Sequence, residues 1–210
     1  MITSSVNLEC FDMKLTVGVC TINGREDLCT RIVTKLYEQA RGKDVQILWV
    51  GDNRKWSLSL KRRKVYQMSE GSEYLVMVDD DDDIADNYID KLLEAIDLNI
   101  GVDLINFTMI YENGEERKPV FFSSKFENLN FETHFERRSH TLMCWRRAVL
   151  SDDLYEDTLY SEDSKFAEKA YSRVKSEVCL REILYFYKYN ELISTQNDEH
   201  KRISSNLQGK

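Results

Sequence analysis

Five consecutive carboxylates, Asp79-Asp80-Asp81-Asp82-Asp83, end a short apolar segment, Tyr74-Leu75-Val76-Met77-Val78. Neighbouring carboxylates repel by about 1 kcal/mol per pair at ~4 Å even in bulk water. Crowding them beside a core segment therefore costs stability unless a cation compensates. Hard divalent ions such as Mg²⁺ or Mn²⁺ take oxygen ligands and commonly bridge one or two protein carboxylates to the phosphates of a substrate. The plainer role is a solvated acidic loop before the next helix, because charge runs are often wet surface. Here the run follows an apolar segment directly instead of lying in a polar tail, which favours the metal.

Other groups with chemical potential are scattered along the chain. Glu162 and Asp163 precede Phe166, Ala167, Ala170 and Tyr171, which puts a carboxylate pair in the first turn of a helix. Complementing the helix dipole would be reason enough for two acids there; as like charges, they also raise one another's pKa. The basic cluster Lys61-Arg62-Arg63-Lys64 reads as a solvated helical face or as counter-charge for a bound diphosphate. His134, His140 and His200 show no metal-motif spacing, so a metal would have to rely on carboxylates. His140, just before a strand, is either structural or in contact with an acceptor or diphosphate; His200 joins a metal shell only if the tail folds back. Cys10, Cys20, Cys29, Cys144 and Cys179 are odd in number and form no C-x-x-C pair, which reads as reduced core thiols.

The elements that must position these groups follow from periodicity and turn chemistry. Lys14 to Thr21 reads as a buried strand, Asn23-Gly24 as a turn with Asn23 capping the next helix. That helix runs to about Arg41 on a stripe of Leu28, Ile32, Val33, Leu36, Tyr37 and Ala40. Val45 to Val50 reads as a second buried strand ending at Gly51-Asp52-Asn53, and Leu58 to Ser69 as a helix. After the acidic run, Asp86 can cap a helix carrying Tyr88, Ile89, Leu92, Leu93 and Ile96. Val102 to Ile110 is a further strand, with a hairpin at Asn113-Gly114 leading to Val120-Phe121-Phe122. Ser123 to Phe135 fits neither period and reads as a mobile or substrate-facing loop. Thr141 to Trp145 resumes a strand, Arg146 to Leu150 a short helix, and Val178 to Tyr189 a tyrosine-rich final strand or strand pair. Strands flanking a helix normally pair in parallel through a right-handed crossover. Ligands bind beyond the carboxyl ends of such strands, so Thr21, Asp52 and the acidic run should share one rim.

With 210 residues, of which 42% are hydrophobic, the chain can bury a sizeable core, which excludes a disordered protein. A net charge of -8 argues against attachment to nucleic acid by overall charge. No apolar run approaches the ~18 residues of a membrane span, and the N-terminus lacks a signal-peptide profile. The expectation is a soluble cytoplasmic protein.

In their order along the chain, these pieces resemble the family 2 glycosyltransferases, inverting enzymes of GT-A fold that use nucleotide-activated sugars. The resemblance covers roughly residues 14 to 194 and rests on four stretches. LTVGVCTINGREDL is similar to the family's opening strand and nucleotide loop, and QILWVGDN to its second strand ending in a base-contacting aspartate. SEGSEYLVMVDDDDDIADNYI is the most specific match, similar to the stretch in which an apolar strand runs into a D-x-D motif; registered on Tyr88-Ile89, that pair is Asp79 and Asp81. YSEDSKFAEKAY resembles the Glu-Asp helix start that carries the catalytic base, here Asp163.

The resemblance implies an α/β GT-A fold with a mostly parallel central sheet flanked by helices. Residues 1–13 would be a lead-in, 14–110 the nucleotide-sugar half, 111–194 the acceptor and catalytic-base half, and 195–210 a polar tail. It implies Mn²⁺ or Mg²⁺ on Asp79 and Asp81, and a nucleotide-sugar donor, a UDP-sugar, positioned by Thr21, Arg25, Asp52, Arg62 and Asp80. Asp163 would deprotonate an acceptor hydroxyl. Arg62-Arg63 stands where the family often has Arg-Asn. The Q-x-x-R-W signature of processive synthases is absent, which points to transfer of one sugar at a time. The acceptor stays open between glycan, lipid-linked saccharide, protein and modified nucleobase; the last is suggested by Arg137-Arg138 and Arg146-Arg147 and opposed by the net charge. A metal-dependent nucleotidyltransferase and a non-catalytic nucleotide-sugar-binding domain are the alternatives.

Overall fold

Apolar runs that are continuous instead of alternating can be buried on both faces only inside a covered sheet. In the computed structural model, which describes residues 12–158 and 161–189, two such runs lie side by side at the centre. Strand β1 (Met13–Ile22) is buried without a break from Leu15 to Cys20, and β3 (Ser72–Asp79) from Tyr74 to Val78. β1 lies between β2 (Val45–Asp52) and β3 and runs parallel to both. Helix α1 (Glu26–Ala40) connects β1 to β2 and buries Ile32, Leu36 and Ala40. Helix α2 (Leu58–Met68) connects β2 to β3, and the Ser57 hydroxyl caps it by accepting from the Leu60 N–H at 3.2 Å. Gly18 is needed beneath α2: a Cβ there would collide with the Val65 side chain and come within 2.8 Å of Met77 Sδ.

The rest of the sheet is built from β4 (Asp83–Ile84), β5 (Leu104–Asn113), β6 (Glu116–Ser123), β7 (Leu129–Asn130), β8 (Phe135–Arg138), β9 (Cys144–Arg146) and β10 (Glu177–Lys188). Helices α3 (Tyr88–Leu98) and α4 (Glu162–Ala170) complete the described α-helices, and the short helix expected from Arg146 to Leu150 is a single 3-10 turn, Arg147–Val149. The strand order is β2-β1-β3-β9-β5-β6-β8-β7, with β10 parallel to β5 and antiparallel to β4. The sheet is mixed: parallel through β2, β1 and β3, antiparallel where β9 joins β3 to β5. The hairpin at Asn113-Gly114 forms as expected, with Gly114 at φ 59°, a left-handed conformation that glycine adopts freely. Among the described residues no helix is long and apolar enough to cross a membrane.

Several local expectations are corrected. β2 is an edge strand in which only Ile47 is fully buried, so Trp49 is half-exposed and packs edge-on against Tyr37, which is itself off the buried stripe of α1. Asn23 does not cap α1; Arg25 holds the cap position, and the Glu26 carboxylate accepts from the Gly24 N–H at 2.9 Å. Asp86 does not cap α3 either. Asn87 occupies that position, and Asp86 is exposed and paired with Lys35 at 3.0 Å. Ser123 to Phe135 contains β7 and leads into β8, and the strand expected from Thr141 is only β9, because residues 141–143 turn. Of the described cysteines, all free, only Cys20 and Cys144 are core; Cys29 is partly and Cys179 largely exposed, while Cys10 lies outside the described residues.

Candidate active site

The carboxyl ends of β1 and β3 open into a cavity of about 600 Å³ whose lining includes Thr21, Arg25, Arg62, Asp79, Asp81 and Asp163, whereas Asp52, at the end of β2, borders a neighbouring hollow with Thr21 and Gly51. The five aspartates there face in different directions. Asp80 is 2% exposed and gives both oxygens to β1 and its loop: Oδ2 accepts from the Thr21 hydroxyl at 2.7 Å, and Oδ1 from Arg25 at 2.8 Å. Arg25 also pairs with Asp81 at 3.1 Å. Asp82 turns inward to Tyr185, and Asp83 outward to Lys35 and Lys188. Asp79 to Asp82 all border the cavity, and Asp79 and Asp81 keep the more exposed side chains there, at 22% and 27% against 3% for Asp80.

The basic cluster on α2 does not form a solvated face. Lys61 and Arg62 are buried while Arg63 pairs at the surface with Asp152. Lys61 bridges Asp52 at 2.9 Å and the Thr21 carbonyl at 3.0 Å. The other Asp52 oxygen accepts from the backbone N–H groups of Lys55 and Trp56, which shapes the loop after β2; against burial, Lys61 first and then these two N–H groups hold the Asp52 carboxyl below its usual pKa. Arg62, 1% exposed, reaches Asp79 at 3.0 Å and Asp163 at 2.7 Å, with Glu162 at 3.7 Å. One guanidinium thus sits between the strand that ends in the acidic run and the helix that starts with the acid pair.

Asp163 is held through one oxygen. Its Oδ1 accepts from Arg62 and from the Thr141 hydroxyl at 2.7 Å, and His140 Nδ1 lies 3.7 Å away. Among the described residues, Oδ2 has no such partner. Burial pushes its pKa up, but Arg62, His140 and Thr141 together outweigh burial and hold it below the usual range. The sequence expectation that Glu162 raises Asp163 is therefore reversed: burial and Asp163 raise Glu162 instead. Burial lowers the pKa of His140, which packs edge-on to Phe122.

Burial and the neighbouring Asp79 push Asp81 up to about 6, and burial likewise raises Asp79 against the pull of Arg62. Two desolvated carboxylates at one cavity wall make a place where added positive charge is favourable. Among the described residues no three His, Cys, Asp or Glu side chains converge to hold a metal by themselves. A cation on Asp79 and Asp81 would thus need oxygens brought by a substrate, which suits Mg²⁺ or Mn²⁺. His200 lies outside the described residues.

Sequence reasoning missed the aromatic part of the cavity lining. Tyr111 and Tyr187 stack with centroids 5.8 Å apart, Phe135 meets Tyr111 edge-on, and all three line the cavity together with Asn130. The available signal was the tyrosine-rich final strand. The only non-glycine residues with left-handed backbone among those described are Arg54, two residues after Asp52 and in the cavity lining, and Ser161, next to Glu162; strained residues often lie at functional sites. Three of the four arginines considered for nucleic acid are engaged internally: Arg137 with Asn130 and the Leu129 carbonyl, Arg138 on the Tyr171 ring, Arg147 on the Tyr66 ring.

No family model and no curated protein matches the sequence. Solved structures do match in shape. The chain superposes on S. aureus TarS 1-349 with a TM-score of 0.61 at 21% identity, over 84% of this chain and 60% of that one. The same protein in complex with UDP-GlcNAc matches with a TM-score of 0.61 at 21% identity, over 85% and 59%. Its complex with UDP matches with a TM-score of 0.58 at 19% identity, over 85% and 61%. The chain spans about three fifths of the length of TarS 1-349. The likeness shows the GT-A fold that the sequence resemblance implied.

Proposed function

We propose that this GT-A protein is an inverting glycosyltransferase that moves one sugar from a nucleotide-sugar, a UDP-sugar, to an acceptor hydroxyl. The observation that carries the reading is one cavity holding two acid sets bridged by a buried arginine: Asp79 and Asp81 at the end of β3, and Asp163 in the first turn of α4. The match to TarS structures containing UDP-GlcNAc and UDP supports the donor class. A Mn²⁺ or Mg²⁺ ion on Asp79 and Asp81 would neutralise charge on the leaving diphosphate.

The chain's own residues divide the remaining work. Asp80 fixes Thr21 and Arg25, and Asp52 fixes Lys61, so the donor meets a rim already oriented at the ends of β1 and β2. Asp163, its pKa low, is ionised at neutral pH and is in the form that accepts a proton. Arg62 and Thr141 anchor Oδ1, which leaves Oδ2 to take the proton of the acceptor hydroxyl as that oxygen attacks the anomeric carbon. The stacked Tyr111 and Tyr187 rings, with Phe135 edge-on to Tyr111, offer the acceptor an aromatic wall.

The test is calorimetric titration of UDP and a panel of UDP-sugars with Mn²⁺ and with EDTA, followed by assay of UDP release. Binding strengthened by Mn²⁺ together with released UDP is the expected result. Release of pyrophosphate would instead establish nucleotidyl transfer, and no binding under either condition would overturn the reading.

A further inference from the structure

The acidic run is held from behind by a side chain that the chemistry above does not use. β9 pairs with β3 only at Tyr74 and Leu75, so among the described residues the carboxyl end of β3 has no strand on that side. Its backbone donors must find other acceptors. The Met77 N–H reaches the Thr141 carbonyl at 3.3 Å, and the Asp79 N–H reaches the hydroxyl of Tyr185 on β10 at 3.0 Å. That hydroxyl in turn donates to Asp82 Oδ2 at 2.7 Å. The second Asp82 oxygen accepts the Lys188 N–H at 2.8 Å, and Arg31 donates to the Asp82 carbonyl at 2.6 Å. Tyr185 and Asp82 are both buried, at 0% and 1% exposure.

A hydroxyl can accept one hydrogen bond while donating another. Phenylalanine fills the same volume and does neither. Tyr185 therefore replaces the missing ladder bond of β3 and ties that strand's last residue to the turn that follows it. β10 also pairs with β5, where Tyr187 stands beside Tyr111, so one strand carries both the aromatic wall and the support of the acidic loop.

We infer that Tyr185 and Asp82 are a positioning pair: the Tyr185 hydroxyl sets the backbone of Asp79, so that Asp79 and Asp81 meet a divalent cation and a nucleoside diphosphate from a preset loop. The inference rests on the donor-and-cation reading of the cavity. Preorganised ligands lose less freedom on binding, so loosening the loop should weaken the cation-dependent part of UDP binding and leave the rest.

Tyr185→Phe is compared with Tyr74→Phe, which removes a buried bond of the same chemistry at the opposite end of β3, from the Tyr74 hydroxyl to the Val102 carbonyl at 2.8 Å. UDP affinity is measured by calorimetry with Mn²⁺ and with EDTA, and exchange of the Asp79 amide by NMR. Tyr185→Phe should lower UDP affinity about tenfold in Mn²⁺ only, the loss expected for one hydrogen bond, and speed Asp79 exchange. Tyr74→Phe should lower the melting temperature and leave the Mn²⁺ dependence unchanged. Asp82→Asn, which keeps the ring in place, should shift Mn²⁺-dependent affinity in the same direction, and tests the pair should Tyr185→Phe not fold. Wild-type Mn²⁺ dependence in both variants, with Asp79 exchange accelerated, would overturn the positioning role and leave the cavity reading standing. Equal UDP binding by the wild type in Mn²⁺ and EDTA would overturn the cation reading, and this inference with it.

Discussion

Arg62 should be the side chain whose loss costs the unliganded protein most for its size. It is the buried positive charge between Asp79 and Asp163, at 3.0 and 2.7 Å. At an effective dielectric of 20 each attraction across ~4 Å is worth about 4 kcal/mol, offset by desolvation of the guanidinium. The intact cluster therefore contributes little net stability, but removing its cation alone leaves two acids facing each other. Breaking a buried pair in this way costs about 3–5 kcal/mol. The Asp79 and Asp163 side chains retain 22% and 37% exposure on the cavity, so water recovers part of this and about 2–4 kcal/mol remains. Arg62→Met should lower the melting temperature by about 4–16 °C in a domain of this length. Arg63→Met breaks the exposed pair with Asp152 and should cost under about 1 kcal/mol. Urea titrations of both variants supply the comparison. Adding Asp163→Asn to Arg62→Met should recover part of the loss, because one uncompensated charge disappears. If Arg62→Met costs no more than Arg63→Met, the buried cluster does not have the electrostatics argued for it.

The other predictions concern binding, turnover, acid and packing. Asp79→Asn and Asp81→Asn should abolish the stabilisation that UDP gives in Mn²⁺, about 2.7 kcal/mol at a hundredfold excess over the dissociation constant; a thermal shift surviving in both would remove them from the cation site. Asp163→Asn should reduce turnover by about 10²- to 10⁴-fold while UDP affinity stays near wild type, and an unchanged transfer rate would exclude it as the base. Glu177 is largely buried, yet bonds from Ser123, Ser124 and Asn106 hold its pKa below the usual value. A carboxyl lowered in the folded state adds stability above its unfolded pKa of about 4.3 and loses it as pH falls through the folded value. Glu177→Gln should thus be less stable than wild type at pH 7 and approach it near pH 3, as urea titrations across that range would show. Gly18→Ala should destabilise by about 1–3 kcal/mol through overpacking against Val65, read from the melting temperature.

The sequence by itself determined what local chemistry can encode. Continuous apolar runs marked β1 and β3, the 3.6-residue period marked α1 and α3, Asn113-Gly114 marked the hairpin, and the abrupt end of β3 in acids marked one wall of the cavity. Each of these signals lies within a few residues of the element it specifies. The roles within the acidic run were beyond that reach, because five identical neighbours have identical propensities. Asp80 differs from Asp82 only in what it meets: Thr21 and Arg25 in one case, and in the other Tyr185, 103 residues along the chain. The same holds for Arg62, drawn from an apparently solvated basic cluster into the core beside Asp163, 101 residues away, whose pKa it lowers against burial. Trp49 belongs to a strand that reads as buried and is half-exposed because β2 ends the sheet. Tertiary structure decided these matters, since electrostatic environment and burial are set by which distant segments pack together, and neither is a property of the residue's own stretch of chain.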